Sequence, residues 1–237
     1  MRDANPTVSP YLRELLSDRQ EHVDAVRDSL LRAYGYAEPG ERDDPLSELI
    51  ATILSQHTSD INSHRAFKSL RERFPTWAEV AGAPVEEVAA SIRSGGLADQ
   101  KAPRIQQVLR AVHERFGAYD LSALHEMGRD EARALLMRLA SGIGPKTASC
   151  VLMFSVGLPA FCVDTHIQRI CARLGLIGPR DSAEKAQHLL EATVPPEDTY
   201  ALHVAMIRHG RQVCRAQRPR CPGCPLFEVC LYGNTSA

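Results

Sequence analysis

The 237-residue sequence lacks the features of membrane and secreted proteins. No apolar run approaches the ~20 residues that a helix needs to span a bilayer. The N-terminal segment, MRDANPTVSPYLRELL, shows no basic start followed by an apolar core, so no secretory signal is visible. We therefore expect a cytoplasmic protein without a membrane partner, associated with the nucleoid if the source is a bacterium.

The sequence also lacks the alternation of apolar and polar residues that predicts β-strands. Apolar residues instead recur at helical spacing, as in the segment Tyr11–Tyr36, the helix opened by Pro45 and the amphipathic segment Lys101–Phe116. We expect Asp60 or Asn62 to cap the helix that follows LSQHTSD. The predicted fold is all-α, with helices joined by short loops.

An overall excess of basic residues is missing too, because the net charge at pH 7 is −1. This balance argues against a protein that binds nucleic acid with its whole surface. The charge is uneven, however, since the segment Ala201–Phe227 has five arginines and no acidic residue. A local basic surface on a neutral protein can still bind phosphates.

The most informative stretch is a glycine hairpin and the two helices after it. Gly142 and Gly144 allow a tight turn, and Pro145 is suited to the first position of a helix. Lys146 then lies in the first turn, and Asp164 precedes another apolar-periodic run as a predicted N-cap. Because helix starts attract anions, this arrangement predicts chemistry on a nucleic-acid backbone.

Four cysteines near the C-terminus have the spacing C-x6-C-x2-C-x5-C. They are Cys214, Cys221, Cys224 and Cys230. Thiolates brought together by such short loops suit zinc or an iron–sulfur cluster, and the spacing alone does not separate the two. The first loop of this motif carries Arg215, Arg218 and Arg220, which we interpret as a phosphate clamp because no acids are interleaved.

These motifs together resemble the endonuclease III family of DNA glycosylases, which have a helix-hairpin-helix and a [4Fe-4S] cluster. The resemblance rests on GPKTA after the hairpin, VDTHI with its aspartate eighteen residues after the lysine, and the cysteine spacing. The segments HGRQVC and LSQHTSD are also similar to the family. The similarity extends from about Pro45 to Tyr232.

The resemblance implies two helical domains with DNA gripped between them. A six-helix domain with the hairpin would span residues 46–158, and residues 1–45 with 159–237 would form a discontinuous iron–sulfur domain. The implied activity removes oxidised pyrimidines from duplex DNA and then nicks the strand at the abasic site. The implied cofactor is a [4Fe-4S] cluster, and the implied partner is duplex DNA with damaged or abasic sites. We expect a monomer.

The family pattern also implies roles for individual residues. Lys146 matches the nucleophile that attacks the sugar C1′ and forms a Schiff base, and Asp164 matches the aspartate that assists it. LSQHTSD would fill the space left by the extruded nucleotide through Gln56 or His57, and Leu97 would act as an apolar wedge. The full set of predicted DNA contacts is Gln56, His57, Leu97, Gly142, Ile143, Gly144, Thr147, His166, Arg169, Arg215, Arg218 and Arg220.

Three positions depart from the family pattern. His57 stands where family members often have glutamine, Pro145 replaces the commoner arginine, and the segment Ala98–Gln100 lacks an aromatic residue. Other interpretations stay open on the sequence alone. They are a mismatch-specific adenine or thymine glycosylase of the same superfamily, a non-catalytic DNA-binding iron–sulfur protein, and a zinc-containing DNA-binding module.

Overall fold

The protein is described by a computed structural model over residues 9–236, which contains helices and turns but no strand in that range. None of the helices in this part of the chain has the length and hydropathy to cross a bilayer. The all-α prediction is confirmed. The α-helices are α1 (Pro10–Ser17), α2 (Arg19–Tyr34), α3 (Pro45–Ser55), α4 (Asp60–Arg73), α5 (Trp77–Gly82), α6 (Val85–Ser91), α7 (Ala98–Phe116), α8 (Arg129–Leu139), α9 (Pro145–Val151), α10 (Thr165–Leu174), α11 (Ala183–Thr193), α12 (Thr199–Gln212) and α13 (Leu231–Ser236).

The chain divides into two compact units. The first consists of Met1–Gly40 and Phe161–Ala237, and the second of Glu41–Ala160. We call them the split unit and the hairpin unit, respectively. The sequence analysis puts the limits of the second at residues 46 and 158, and residues 1–8 of the first lie outside the described part of the chain.

The hairpin unit contains α3 to α9 around one apolar core. Helix α3 begins where Asp44 accepts hydrogen bonds from the N–H groups of Leu46 and Ser47, with Pro45 in the first turn. Its apolar face is fully buried together with residues of α7 such as Leu109. The prediction that Asp60 or Asn62 caps α4 is wrong, because the helix begins at Asp60 and the side chain of Ser59 accepts the capping hydrogen bond from the N–H group of Asn62.

The split unit contains α1, α2 and α10 to α13. The helical spacing predicted over Tyr11–Tyr36 corresponds to two helices, because α1 ends at Ser17 and α2 begins at Arg19. Asp18 between them has an extended backbone, and its carboxylate accepts hydrogen bonds from the N–H groups of Gln20 and Glu21. A side chain that competes for backbone N–H groups in this way ends one helix and caps the next.

Candidate active site and nucleic-acid interface

The glycine hairpin links α8 to α9 in the hairpin unit. Gly142 has a φ of 88°, a conformation that favours glycine. Gly144 is the N-cap of α9, and Pro145 occupies its first turn as predicted. Lys146 follows with an exposed side chain. The helix continues as a single π-helical turn over Leu152–Val156, a feature common near functional sites.

The three predicted phosphate-binding residues of the hairpin have different environments. The side chain of Ile143 is 3% exposed and packs in the core of the hairpin unit. Its N–H group donates to the carbonyl oxygen of Ala140 at 3.3 Å, which favours an anchoring role over a phosphate contact. Gly142 is exposed and Gly144 is half-buried, so these two present backbone at the surface of the hairpin.

Gly142 also allows a close approach by a side chain that the sequence analysis missed. A Cβ atom at this position would lie 2.6 Å from Cζ of Arg104, which comes from α7. The Arg104 guanidinium therefore occupies the space beneath the hairpin that only glycine leaves open. The same guanidinium donates to Oε1 of Gln56 at 2.9 Å.

Gln56 and His57, between which the sequence analysis did not choose, differ clearly in the structure. Gln56 is half-buried, accepts from Arg104 and donates from Nε2 to Oγ1 of Thr147 at 3.3 Å. His57 is exposed and has a φ of 56°. Thr147, a predicted DNA contact, is 5% exposed, so its side chain faces the interior of the unit.

Leu97 lies in a tight turn directly before α7. Its side chain is 46% exposed, and its backbone has a φ of 52° and a ψ of 34°. The left-handed region costs a non-glycine residue about 1 kcal/mol or more. Within residues 9–236, the non-glycine residues with positive φ are His57, Leu97 and Arg218. All three belong to the predicted DNA-contacting set.

Asp164 is the N-cap of α10 in the split unit, as predicted. Its half-buried carboxylate accepts hydrogen bonds from the N–H groups of His166 and Ile167, both at 2.9 Å. These two bonds hold the carboxylate in one direction while leaving further lone pairs for a ligand.

Arg169, a predicted DNA contact, makes its hydrogen bonds within the split unit. Its Nε and Nη2 atoms donate to the carbonyl oxygen of Cys214 at 3.0 and 2.8 Å, and Nη2 also reaches that of Gly210 at 3.1 Å. It also contacts Nδ1 of the half-buried His166 at 3.0 Å. This arrangement favours a role in holding the start of the cysteine loop.

Arg173, one turn further along α10, was missed by the sequence analysis. It donates to the carbonyl oxygens of Arg215 at 2.7 Å and Ala216 at 3.0 Å, and to Sγ of Cys214 at 3.3 Å. Its guanidinium also stacks over the ring of Tyr232. The spacing of Arg169 and Arg173 by one helical turn was the available signal, because it places both on one face.

The four cysteines of the C-terminal motif line one small cavity of the split unit, with a volume of about 20 Å³. Burial, with smaller contributions from the neighbouring cysteines, raises the pKa of Cys224 to about 11. Backbone N–H groups of Leu226 and Gly233 point at Sγ of Cys224 and Cys230, each at 3.4 Å. Over residues 9–236, no group of three or more His, Cys, Asp or Glu side chains is placed to hold a single metal ion.

The basic loop between the first two cysteines presents its arginines to solvent. Arg215, Arg218 and Arg220 are all exposed, and Arg218 has a φ of 48°. Backbone atoms of this loop, in contrast, are held by the two arginines of α10. The loop thus has a fixed backbone and outward guanidinium groups, a combination suited to phosphate contacts.

Helices α8 and α9 and the glycine turn between them form a helix-hairpin-helix motif. Residues 50–196 match the model of the HhH-GPD superfamily of base excision DNA repair proteins. The chain therefore belongs to this superfamily, and the predicted relationship to endonuclease III is confirmed by its relatives.

Two bacterial endonuclease III proteins illustrate the similarity. The protein from Bacillus subtilis (strain 168) is 35% identical over 190 residues, covering 80% of this chain and 82% of that relative. The protein from Escherichia coli (strain K12) is 34% identical over 188 residues, covering 79% and 84%. A solved structure of a trapped endonuclease III–DNA covalent intermediate aligns with a TM-score of 0.77 at 32% identity, covering 90% of this chain and 96% of that one.

Proposed function

We propose that this chain is a bifunctional DNA glycosylase and abasic-site lyase that removes oxidised pyrimidines from duplex DNA. The general class, a base-excision DNA glycosylase/lyase, follows from its endonuclease III relatives. The observation that carries the residue-level proposal is the exposed Lys146 in the first turn of α9, directly after the glycine hairpin. The trapped covalent intermediate of its structural neighbour supports a covalent mechanism here.

In the proposed reaction, the neutral amine of Lys146 attacks C1′ of the damaged nucleotide. The new C–N bond forms as the glycosidic bond breaks, and the base leaves with the bonding electrons and takes up a proton. Opening of the sugar ring gives a Schiff base. Loss of a proton from C2′ then expels the 3′ phosphate by β-elimination.

Asp164 is proposed to accept the proton from the lysine and to stabilise positive charge that develops on the sugar. Its N-cap hydrogen bonds support this role, because they fix the carboxylate before substrate arrives. A carboxylate that is already oriented loses little energy to rearrangement during the reaction.

Base extrusion is assigned to the two strained turns of the hairpin unit. We assign His57 as the residue that fills the vacated space, because it is exposed while both ends of the Gln56 amide are bonded within the unit. Leu97 is the wedge, and its left-handed backbone keeps an apolar side chain at the surface. Gly142, Gly144 and the three arginines of the basic loop are proposed to contact phosphates.

The cysteine motif is proposed to hold a [4Fe-4S] cluster. The four thiols share one cavity, and N–H groups point at the sulfur atoms of Cys214, Cys224 and Cys230, which suits anionic sulfur. A bound cluster would supply positive charge that offsets four half-buried thiolates and would cross-link the basic loop. The chain itself supplies the arginines that orient this loop toward DNA.

Covalent trapping tests the proposed nucleophile. With borohydride and duplex DNA containing an abasic site, the parent protein should be trapped, and Lys146→Ala should lose at least about 10³-fold in trapping rate. Lys68→Ala, which removes another exposed lysine of the hairpin unit, should trap like the parent. Trapping of Lys146→Ala at the parent rate would remove Lys146 as the nucleophile.

The substrate class is tested by a panel of duplexes. Oxidised pyrimidines should be excised at least about tenfold faster than adenine opposite 8-oxoguanine or thymine opposite guanine. The reverse order would favour a mismatch-specific glycosylase. Binding without excision of any base, and without trapping, would leave a DNA-binding iron–sulfur protein.

A further inference from the structure

We propose that Lys101 is a positioning residue that holds the filling turn (Gln56–His57) and the wedge turn (Gly96–Leu97) in register for base extrusion, with Arg104 extending this support to the glycine hairpin. The proposal rests on the function proposed above. Neither side chain is assigned a contact with DNA or with the reacting atoms. Both come from the first turns of α7.

Lys101 is buried and bridges two backbone segments. Its side chain belongs to a residue that is 3% exposed, and burial lowers its pKa. Nζ donates to the carbonyl oxygen of Leu54 at 2.7 Å and to that of Gly95 at 2.9 Å. Lysine is rarely buried to this extent, and a buried ammonium needs such partners to be tolerated.

The first acceptor lies at the end of the helix that leads into the filling turn. Leu54 is in the last turn of α3, where carbonyl groups have no helical partner. A cation at this end also interacts favourably with the helix dipole. Since His57 follows only three residues later with a positive φ, the ammonium fixes the point from which this turn departs.

The second acceptor lies in the turn that leads into the wedge. Gly95 ends the 3-10 turn Arg93–Gly95, two residues before Leu97. A Cβ at Gly95 would come within 3.0 Å of Cβ of Ala66, so this turn lies close against α4. Strained backbone persists only where its surroundings hold it, and the Lys101 hydrogen bond is one such restraint.

Arg104 lies one turn further along α7 and meets the next two segments. Its Nη1 atom donates to Oε1 of Gln56, beside the filling residue. Its Cζ atom lies under Gly142, in the space that a Cβ would need. One stretch of α7 therefore contacts the filling turn, the wedge turn and the hairpin.

This arrangement has a specific consequence for catalysis. Extruding a nucleotide from a duplex costs a few kcal/mol, and the cost is least for a base that is already unpaired. The filling residue and the wedge must enter the duplex together, at a fixed distance from each other. If their turns were mobile, they would have to become ordered during extrusion. Loss of Lys101 should therefore slow extrusion from paired DNA and leave the chemistry at C1′ intact.

The test uses Lys101→Met, which keeps most of the side-chain length and removes the donors. Single-turnover borohydride trapping is measured on an abasic site in a fully paired duplex and on the same site opposite a gap, where little must be displaced. The paired substrate should react about 30-fold more slowly than with the parent, and the gapped substrate within about threefold. The rise of 2-aminopurine fluorescence next to the lesion should slow by the same factor as the paired reaction.

The matched control is Gln106→Met. Gln106 is 4% exposed on the same helix and donates to the carbonyl oxygens of Val80 and Ala83, at 2.9 and 2.8 Å. The Gln106→Met variant loses two buried hydrogen bonds, as Lys101→Met does, but these lie at the connection between α5 and α6. Its ratio of paired to gapped rates should equal that of the parent.

The trapping rates are measured below the unfolding temperature of Lys101→Met. The proposal is overturned if this variant reacts more slowly by the same factor on both substrates, or at the parent rate on both. If Lys101→Met does not fold, Arg104→Met carries the same comparison, with an expected selective loss of about fivefold; equal rates on both substrates would then overturn it. Failure of the proposed function gives a different result, because the parent protein would trap on neither substrate.

Discussion

The wedge and filling turns of the hairpin unit and the cysteine loop of the split unit are held by similar means. In each case one helix supplies two cationic side chains that donate to loop atoms. They are Lys101 and Arg104 on α7, and Arg169 and Arg173 on α10. The difference lies in what completes each arrangement. The turns of the hairpin unit are held by the hydrogen bonds of the two cationic side chains, whereas the cysteine loop also has four thiols that line a cavity.

This difference shows that a loop can be made rigid in two ways with different vulnerabilities. A buried ammonium between two carbonyl groups is present whenever the chain is folded. Four half-buried thiolates crowded into one cavity repel one another unless a bound group offsets their charge. We therefore expect the rigidity of the basic loop to depend on the proposed cluster, and that of the two turns of the hairpin unit not to.

The largest expected effect comes from removing one proposed cluster ligand. Cys221→Ser should lose the brown absorbance of the cluster, and protease should cut the loop over residues 213–230 at least about tenfold faster. Cys171→Ala, which removes a buried cysteine of the apolar core, should keep the absorbance and lose only about 1 kcal/mol of unfolding free energy. Unchanged protease resistance in Cys221→Ser would show that the arginines alone hold the loop.

An intermediate effect is expected from removing one cation in each region, followed by amide hydrogen exchange. Lys101→Met leaves two carbonyl groups without this donor, so residues 53–57 and 95–97 should lose about 2 kcal/mol of local opening free energy. Arg173→Met in the cluster-loaded protein should cost residues 214–220 about 1 kcal/mol, because the cysteines still hold the loop. Equal losses in the two regions would contradict the proposed difference.

The smallest expected effect contrasts Lys101 with a second buried ionisable group of the hairpin unit. Burial, with a smaller contribution from the nearby Asp43, raises the pKa of Glu48 to about 7, although the hydroxyl of Thr52 donates to its carboxylate at 3.1 Å and lowers the pKa. The folded state therefore binds this proton more tightly than the unfolded state, and stability falls as pH rises from about 4.5 to 7. The charge of Glu48 thus destabilises the fold above pH 7.

Glu48→Gln should therefore raise the unfolding free energy by about 1–2 kcal/mol at pH 8 and by little at pH 4.5. Chemical denaturation at the two pH values measures this difference. A gain of the same size at both pH values would mean that the carboxylate charge is not the cause.

The sequence predicts the parts of the site that depend on local signals. Asp164 caps α10, and Pro145 begins α9, because both depend only on neighbouring residues. The break at Asp18 could not be predicted from apolar spacing, since leucines and valines continue at helical intervals on both sides. The assignment of His57 over Gln56 requires the long-range contacts of Gln56 with Arg104 and Thr147.

Lys101 shows most clearly why some residues that support the candidate site could not be identified from the sequence. Lysine is normally exposed, and the sequence analysis used it only as the start of an amphipathic helix. Its spacing from Ala98, Ala102 and Ile105, which are all buried, would have placed it on the core side of α7. The two carbonyl groups that make this tolerable belong to residues 47 and 6 positions away, which no local pattern reveals.

The missing Cβ at Gly142 has a consequence for natural variation among relatives. A side chain at this position would have to displace the guanidinium at the end of the Arg104 side chain, and the φ of 88° would strain it as well. We expect homologues with alanine or serine at the first hairpin glycine to carry a shorter residue at the position of Arg104. Such paired changes would be visible in an alignment as covariation between the hairpin and α7.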